Sequence, residues 1–151
     1  AISACEKGGQ WQHAMSLLRE LAEFKLEADT LSYNSAISGC EKCGKWQHAS
    51  LLLRGVRKVE LEPCVVSYNA GTSACEKAGR WLQALLLISE LSQRSIERAA
   101  VIYNAGISAC EKRAQWQQAL SLLTEVCTAT PEPDMISYNA GISACEKCEQ
   151  W

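Results

Sequence analysis

Tyr103-Asn104-Ala105-Gly106-Ile107-Ser108-Ala109-Cys110-Glu111-Lys112 returns unchanged 35 residues later as Tyr138 through Lys147, and 35 residues earlier with Thr72 as its one difference. A looser copy runs from Tyr33 to Lys42. Working outward, Cys5, Cys40, Cys75, Cys110 and Cys145 are spaced by 35, as are Trp11, Trp46, Trp81, Trp116 and Trp151. No insertion or deletion interrupts this register along the 151 residues. A period of this length is the mark of a solenoid, in which each unit buries its apolar face by stacking on its neighbours.

Within residues 30–64, Tyr33, Ile37 and Cys40 fall at i, i+4 and i+7, one face of a helix. Trp46, Ala49, Leu52, Leu53 and Val56 form a second such stripe. Cys43-Gly44 lies between them, matching Gly8-Gly9 and Ala78-Gly79, and reads as a helix end with a tight turn. Glu62-Pro63 and Pro131-Glu132-Pro133-Asp134 mark the longer turn between units. No segment alternates with period two, so strands are not expected. The fold class is all-α, an α-solenoid of antiparallel helix pairs. Residues 1–29 are a partial repeat, 30–64, 65–99 and 100–134 are full repeats, and 135–151 is a second partial repeat. Both ends fall inside a unit, so the sequence is expected to be cut from a longer array.

A net charge of −2 and a pI near 5.8 supply no global basic field, which counts against non-specific phosphate binding but leaves room for a local stripe. No apolar run approaches the ~18 residues of a membrane span. The nine cysteines are odd in number, and five share one phase. Helices stacked about 8–10 Å apart hold equivalent cysteines beyond the ~7 Å Cα limit for a disulfide. A reducing intracellular compartment, with these cysteines as small buried hydrophobes, is the expectation.

Two Cys-x-x-Cys pairs, Cys40/Cys43 and Cys145/Cys148, have zinc-like spacing. They are three units apart, roughly 25–30 Å at one helix layer per unit, which one zinc with ~2.3 Å sulfur bonds cannot span. His13 and His48 become Gln83 and Gln118 in later units and read as surface positions. No nucleophile–base set or glycine-rich phosphate loop is present. Catalysis, cofactors, metals and small-molecule substrates are therefore not expected within this segment.

Other rows have structural readings. The tryptophans fill space between helices, and Ala14, Ala49, Ala84 and Ala119 mark close helix–helix contacts. Gly71, Gly106 and Gly141 lie inside the first helix, where each costs about 1 kcal/mol relative to alanine; close backbone approach between neighbouring first helices is the expected cause. Two readings fit Asn34, Asn69, Asn104 and Asn139: a capping or inter-helix hydrogen bond, or an outward amide offering donors and an acceptor to a ligand, one per layer. Two also fit Lys7, Lys42, Lys77, Lys112 and Lys147: charges complementing the helix C-terminal dipole, or an ammonium ladder for a phosphate backbone.

The 35-residue helix pair, the Ser-Tyr-Asn-Ala-Gly-Ile-Ser-Ala-Cys-Glu-Lys opening (Ser137 to Lys147) and the Glu-Pro-Asp ending (Glu132 to Asp134) resemble pentatricopeptide repeat proteins over the whole chain. The resemblance implies a right-handed superhelix that binds single-stranded RNA on the face built by the first helices, one nucleotide per repeat read by two or three side chains. It implies that Asn34, Asn69, Asn104 and Asn139 read base edges together with the unit-final residues Asp29, Cys64, Ala99 and Asp134. It implies that Leu31, Val66, Val101 and Ile136 sandwich the bases and that the lysine ladder meets phosphates. By the same resemblance Asn104 with Asp134 favours uracil, while Cys64 and Ala99 depart from the usual second selector. Asp134 has the N-cap of the following helix as an alternative role. A segment of a longer RNA-processing protein of the chloroplast or mitochondrion, with protein partners in an RNA-processing complex, follows from the family. A protein–protein scaffold of the helical-repeat type is the competing expectation.

Overall fold

The computed structural model describes residues 2–24, 28–58, 61, 63–93, 100–129 and 135–147. Nine helices are found among them: α1 (Ile2–Lys7), α2 (Trp11–Glu23), α3 (Thr30–Lys42), α4 (Trp46–Lys58), α5 (Val65–Lys77), α6 (Trp81–Gln93), α7 (Ala100–Glu111), α8 (Trp116–Ala129) and α9 (Met135–Glu146). Odd-numbered helices are the first of each unit, and even-numbered helices the second. The expected α-solenoid is the fold, with no strand among the described residues.

The turn inside each unit follows from one local device. Lys45 N–H donates to Cys40 O at 2.9 Å, Arg80 to Cys75 O at 2.8 Å, and Gln115 to Cys110 O at 3.0 Å. These bonds close the last turn of a helix in the Schellman manner and need a left-handed residue just before the donor. Gly44 (φ 60°) and Gly79 (φ 62°) supply it at no steric cost, whereas the third copy uses Ala114 at φ 54°.

Layer stacking is unequal on the two sides. First helices pack directly on one another, α1 on α3, α3 on α5, α5 on α7 and α7 on α9. Each second helix packs its backbone against the first helices of its own and the following unit, and among the described residues it meets the next second helix through side chains alone, as in Trp11–His48, Arg57–Glu90 and Ser92–Glu125. The stack therefore curves with the first helices on its inner side.

The core runs continuously through the layers. Ala14, Ala49, Ala84 and Ala119 are fully buried, as expected of close contacts, and Leu52, Leu53 and Val56 complete the buried face of α4. Cys40, Cys75 and Cys110 are fully buried and unbridged. Burial pushes their thiols up to about 11, about 12 and about 11, Cys43 adding to the effect at Cys40, so they remain neutral and inert.

The tryptophans are only half-buried. Trp11, Trp46, Trp81 and Trp116 pack against the edge of the core, and Trp151 lies outside the described residues. Lys45 sits 5.7 Å over the Trp11 ring and Arg80 5.3 Å over Trp46, so the cation opening one second helix covers the tryptophan of the preceding unit. His13 is exposed, but His48 is half-buried against Trp11 with ring centroids 4.5 Å apart, a packing role its Gln counterparts concealed.

The glycine row has a different cause from the one expected. A Cβ on Gly71 would lie 2.7 Å from Leu53 Cδ1, one on Gly106 would run into Ile88 Cδ1, and one on Gly141 would lie 3.1 Å from Leu123 Cδ2. Side chains of the preceding second helix take the space, not the backbone of a neighbouring first helix.

Candidate nucleic-acid interface

Each first helix turns one stripe away from the second helices. On α5 it is Val66, Asn69, Ser73 and Lys77, at i, i+3, i+7 and i+11, which keeps them on one helix face. Leu31, Asn34, Ser38 and Lys42 form the same stripe in the unit before. Val101, Asn104, Ser108 and Lys112, then Ile136, Asn139, Ser143 and Lys147, form it in the units after. Because the first helices line the inner side, the stripes stand side by side as three rows across its surface: aliphatic, amide and basic.

The aliphatic row is exposed throughout. Leu31 is 66% exposed, Val66 61%, Val101 59% and Ile136 64%. A single exposed valine is ordinary on a protein surface. Four apolar side chains at one phase, each a turn before an amide, form an apolar ledge with a polar edge.

The amide row takes part in inter-unit hydrogen bonds. Ser67 Oγ donates to Asn34 Oδ1, and Asn34 Nδ2 reaches Cys64 Sγ at 3.4 Å. Ser137 Oγ donates likewise to Asn104 Oδ1. Asn34, Asn69 and Asn104 are half-buried and Asn139 is exposed. The inter-helix reading of the asparagines is thus met at two positions, while each amide still borders the open surface.

Among the unit-final residues, the structure brings Cys64 to Asn34. Cys64 is the N-cap of α5, its backbone N–H donating to Ser67 Oγ at 3.2 Å. Burial works against ionisation of its thiol, but hydrogen bonds from Ser67, Asn34 and the Val66 backbone outweigh it and lower the pKa. Asp29 is exposed and caps α3, accepting from Ser32 N–H at 2.8 Å; hydrogen bonding from the Ser32 side chain, and next from its backbone, lowers the carboxyl pKa. Ala99 and Asp134 lie outside the described residues.

The basic row is a zipper. Glu41 Oε1 accepts from Lys77 Nζ at 2.7 Å and Ser73 Oγ at 3.1 Å. Glu76 takes Lys112 at 2.9 Å and Ser108 at 3.0 Å; Glu111 takes Lys147 at 2.7 Å and Ser143 at 2.8 Å. Burial raises the Glu111 pKa, but these two donors and the charges of Lys147 and Lys112 bring it below the usual range. Each ammonium spends one of its three donors in this clasp and keeps the others for solvent or ligand. Lys7 and Lys42 are also exposed. The glutamates beside the lysines in sequence therefore serve the next layer. A signal was present, since a Glu recurs with a Ser 32 and a Lys 36 residues after it.

Cys40 is buried, while Cys43 is exposed and donates its Sγ hydrogen to Gly9 O at 3.3 Å; Cys148 lies outside the described residues. Among the described residues no His/Cys/Asp/Glu cluster could hold a metal ion, and no helix is long and apolar enough to cross a membrane.

The architecture matches solved structures closely. The pentatricopeptide repeat protein PPR10 from maize superposes with a TM-score of 0.73 at 23% identity, over 99% of this chain and 21% of that one. PPR10 in complex with an 18-nt psaJ RNA element gives 0.78 at 24% identity, over 98% and 22%. The PPR domain of Arabidopsis thaliana protein-only RNase P 1, in complex with tRNA, gives 0.84 at 11% identity, over 98% and 78%. The chain thus spans about a fifth of the length of PPR10. No curated protein matches it. In sequence, the pentatricopeptide repeat domain matches residues 16–77 and the PPR repeat matches residues 1–26, together just over half of the chain. The uninterrupted period, the helix pairs and these matches agree: the chain belongs to the pentatricopeptide repeat family.

Proposed function

We propose that this chain binds single-stranded RNA along its inner face, about one base per unit and with a preference for pyrimidines. The observation that carries the proposal is the row Leu31, Val66, Val101 and Ile136, about 60% exposed in every unit and each one turn from an amide. Bases slot between successive aliphatic side chains, gaining apolar contact, and present their edges to Asn34, Asn69, Asn104 and Asn139. Cys64, Ala99 and Asp134 act as the second selectors of Asn34, Asn69 and Asn104, and Asp29 as that of the unit before. Lys7, Lys42, Lys77, Lys112 and Lys147 contribute charge to the phosphate side. The family and the RNA-bound relatives support the reading. The segment is a binding module, without catalysis of its own, of a longer organellar RNA-processing protein, in chloroplast or mitochondrion, working with protein partners.

The test titrates the chain with short single-stranded RNAs in which the base opposite Asn104 is varied. Tighter binding of uracil than of the other bases is expected. Equal affinity for all four removes base reading and keeps RNA binding; no binding of any RNA removes the proposal. The scaffold reading has its own observation, the outward Leu51, Leu82 and Leu86 on α4 and α6, each more than half exposed. It gains ground only under that last outcome.

A further inference from the structure

Asn34, Asn69 and Asn104 share one helix phase but not one neighbourhood. The residue preceding the tyrosine of the following unit is Ser67 beside Asn34, Ile102 beside Asn69 and Ser137 beside Asn104. Ser67 is fully buried. Its oxygen accepts the Cys64 N–H at 3.2 Å and lies 3.5 Å from Cys64 Sγ, and its hydroxyl proton goes to the nearer acceptor, Asn34 Oδ1. A side-chain amide has two nearly isosteric orientations that only its hydrogen bonds distinguish. With the serine proton given to it, Oδ1 turns to the next unit, while Nδ2 donates one hydrogen to Cys64 Sγ at 3.4 Å and keeps a second. Ser137 donates to Asn104 Oδ1 in the same way. Ile102 is fully buried and has no hydroxyl, and Asn69 has no hydrogen-bond partner among the described residues.

We propose that Ser67 and Ser137 are positioning residues that set base specificity in the unit before them. By holding Oδ1 they fix Asn34 and Asn104 with an N–H donor toward the base, so these two units select uracil over cytosine. The unit between them, with Asn69 beside Ile102, accepts either. The chemistry is that of the pyrimidine 4-position, a carbonyl acceptor in uracil and an amino donor in cytosine. A fixed donor distinguishes them; an amide able to rotate meets both. The inference deepens the RNA-binding reading and rests on it.

The test measures affinity for short single-stranded RNAs in which each position in turn carries U or C. For the unaltered chain, two positions that favour uracil, roughly tenfold for one well-made hydrogen bond, should flank one that is indifferent. Ser67→Ala should bring one of the two ratios to about unity, and Ser137→Ala the other. Ser67→Thr, which keeps the hydroxyl, should restore the preference, and Ile102→Thr should create a third selective position. Thermal unfolding of each variant confirms that the repeats remain folded. A uracil preference that survives in both alanine variants overturns the inference while leaving RNA binding intact. No RNA binding by the unaltered chain overturns both. As an RNA-free arm, the side-chain amide protons of Asn34 should exchange more slowly than those of Asn69 by NMR, and Ser67→Ala should erase the difference. Equal rates in the unaltered chain overturn the inference.

Discussion

The two sides of α5 share thirteen residues and one repeat phase, yet they are finished to different degrees. Toward the second helices lie Tyr68, Gly71, Thr72 and Cys75, all buried, with the Tyr68 hydroxyl donating to Glu90 Oε1 at 3.0 Å. Toward the inner surface lie Val66, Asn69, Ser73 and Lys77, where the valine is 61% exposed and the asparagine has no partner among the described residues. Both sides repeat equally well along the sequence. Repetition therefore does not separate residues that build the stack from residues left open for something else; burial does.

Four variants probe that division. Tyr103 is fully buried and donates to Glu125 Oε1 at 3.0 Å. Tyr103→Ala should cost about 3–5 kcal/mol of stability, seen as a large drop in the urea midpoint, and a loss below ~1 kcal/mol would contradict its role in the core. On the open side, Val66→Ser combined with Val101→Ser should leave the urea midpoint nearly unchanged. The pair should nonetheless weaken RNA binding by about 1 kcal/mol per base, the low end for base stacking. Unchanged affinity in a titration would break the comparison from this side.

The smaller effects sharpen it. Thr72 is fully buried with no partner for its hydroxyl, at a phase held elsewhere by Ile37, Ile107 and Ile142. Thr72→Val keeps the shape and removes the unsatisfied group, so denaturation should show a gain of about 1–2 kcal/mol. Ala114→Gly relieves the left-handed alanine of the turn between α7 and α8. Against the entropy that glycine adds to the unfolded chain, a net gain of about 0.5 kcal/mol is expected in the same assay. A loss at Ala114 would mean that its methyl packs usefully.

Legibility followed distance along the chain. The helix pairs, the alanine row and the turn at Gly44 and Gly79 were readable because helix periodicity and turn chemistry act over a few residues. The exposed Leu31, Val66, Val101 and Ile136 were identified through family resemblance, and their exposure agrees with an open role. The Glu41–Lys77 clasp and the Ser67–Asn34 bond join residues 33 to 36 apart, so only stacking brings them together. The glycine row was visible, but its cause was not, since the atoms that fill the space belong to Leu53, Ile88 and Leu123 on other helices. His48 was misread for the same reason: its neighbour is Trp11 in the preceding unit.

By itself, the sequence determined that this protein is a stack of helix pairs with a 35-residue repeat. Apolar spacing and turn residues are local properties, and an exact period forces equal layers. The tertiary structure decided which equivalent positions remain equivalent. Once the layers meet, a hydroxyl or a methyl in one unit settles the hydrogen bonding of an amide in another, so Asn34 and Asn69, identical in phase, end in different chemical states.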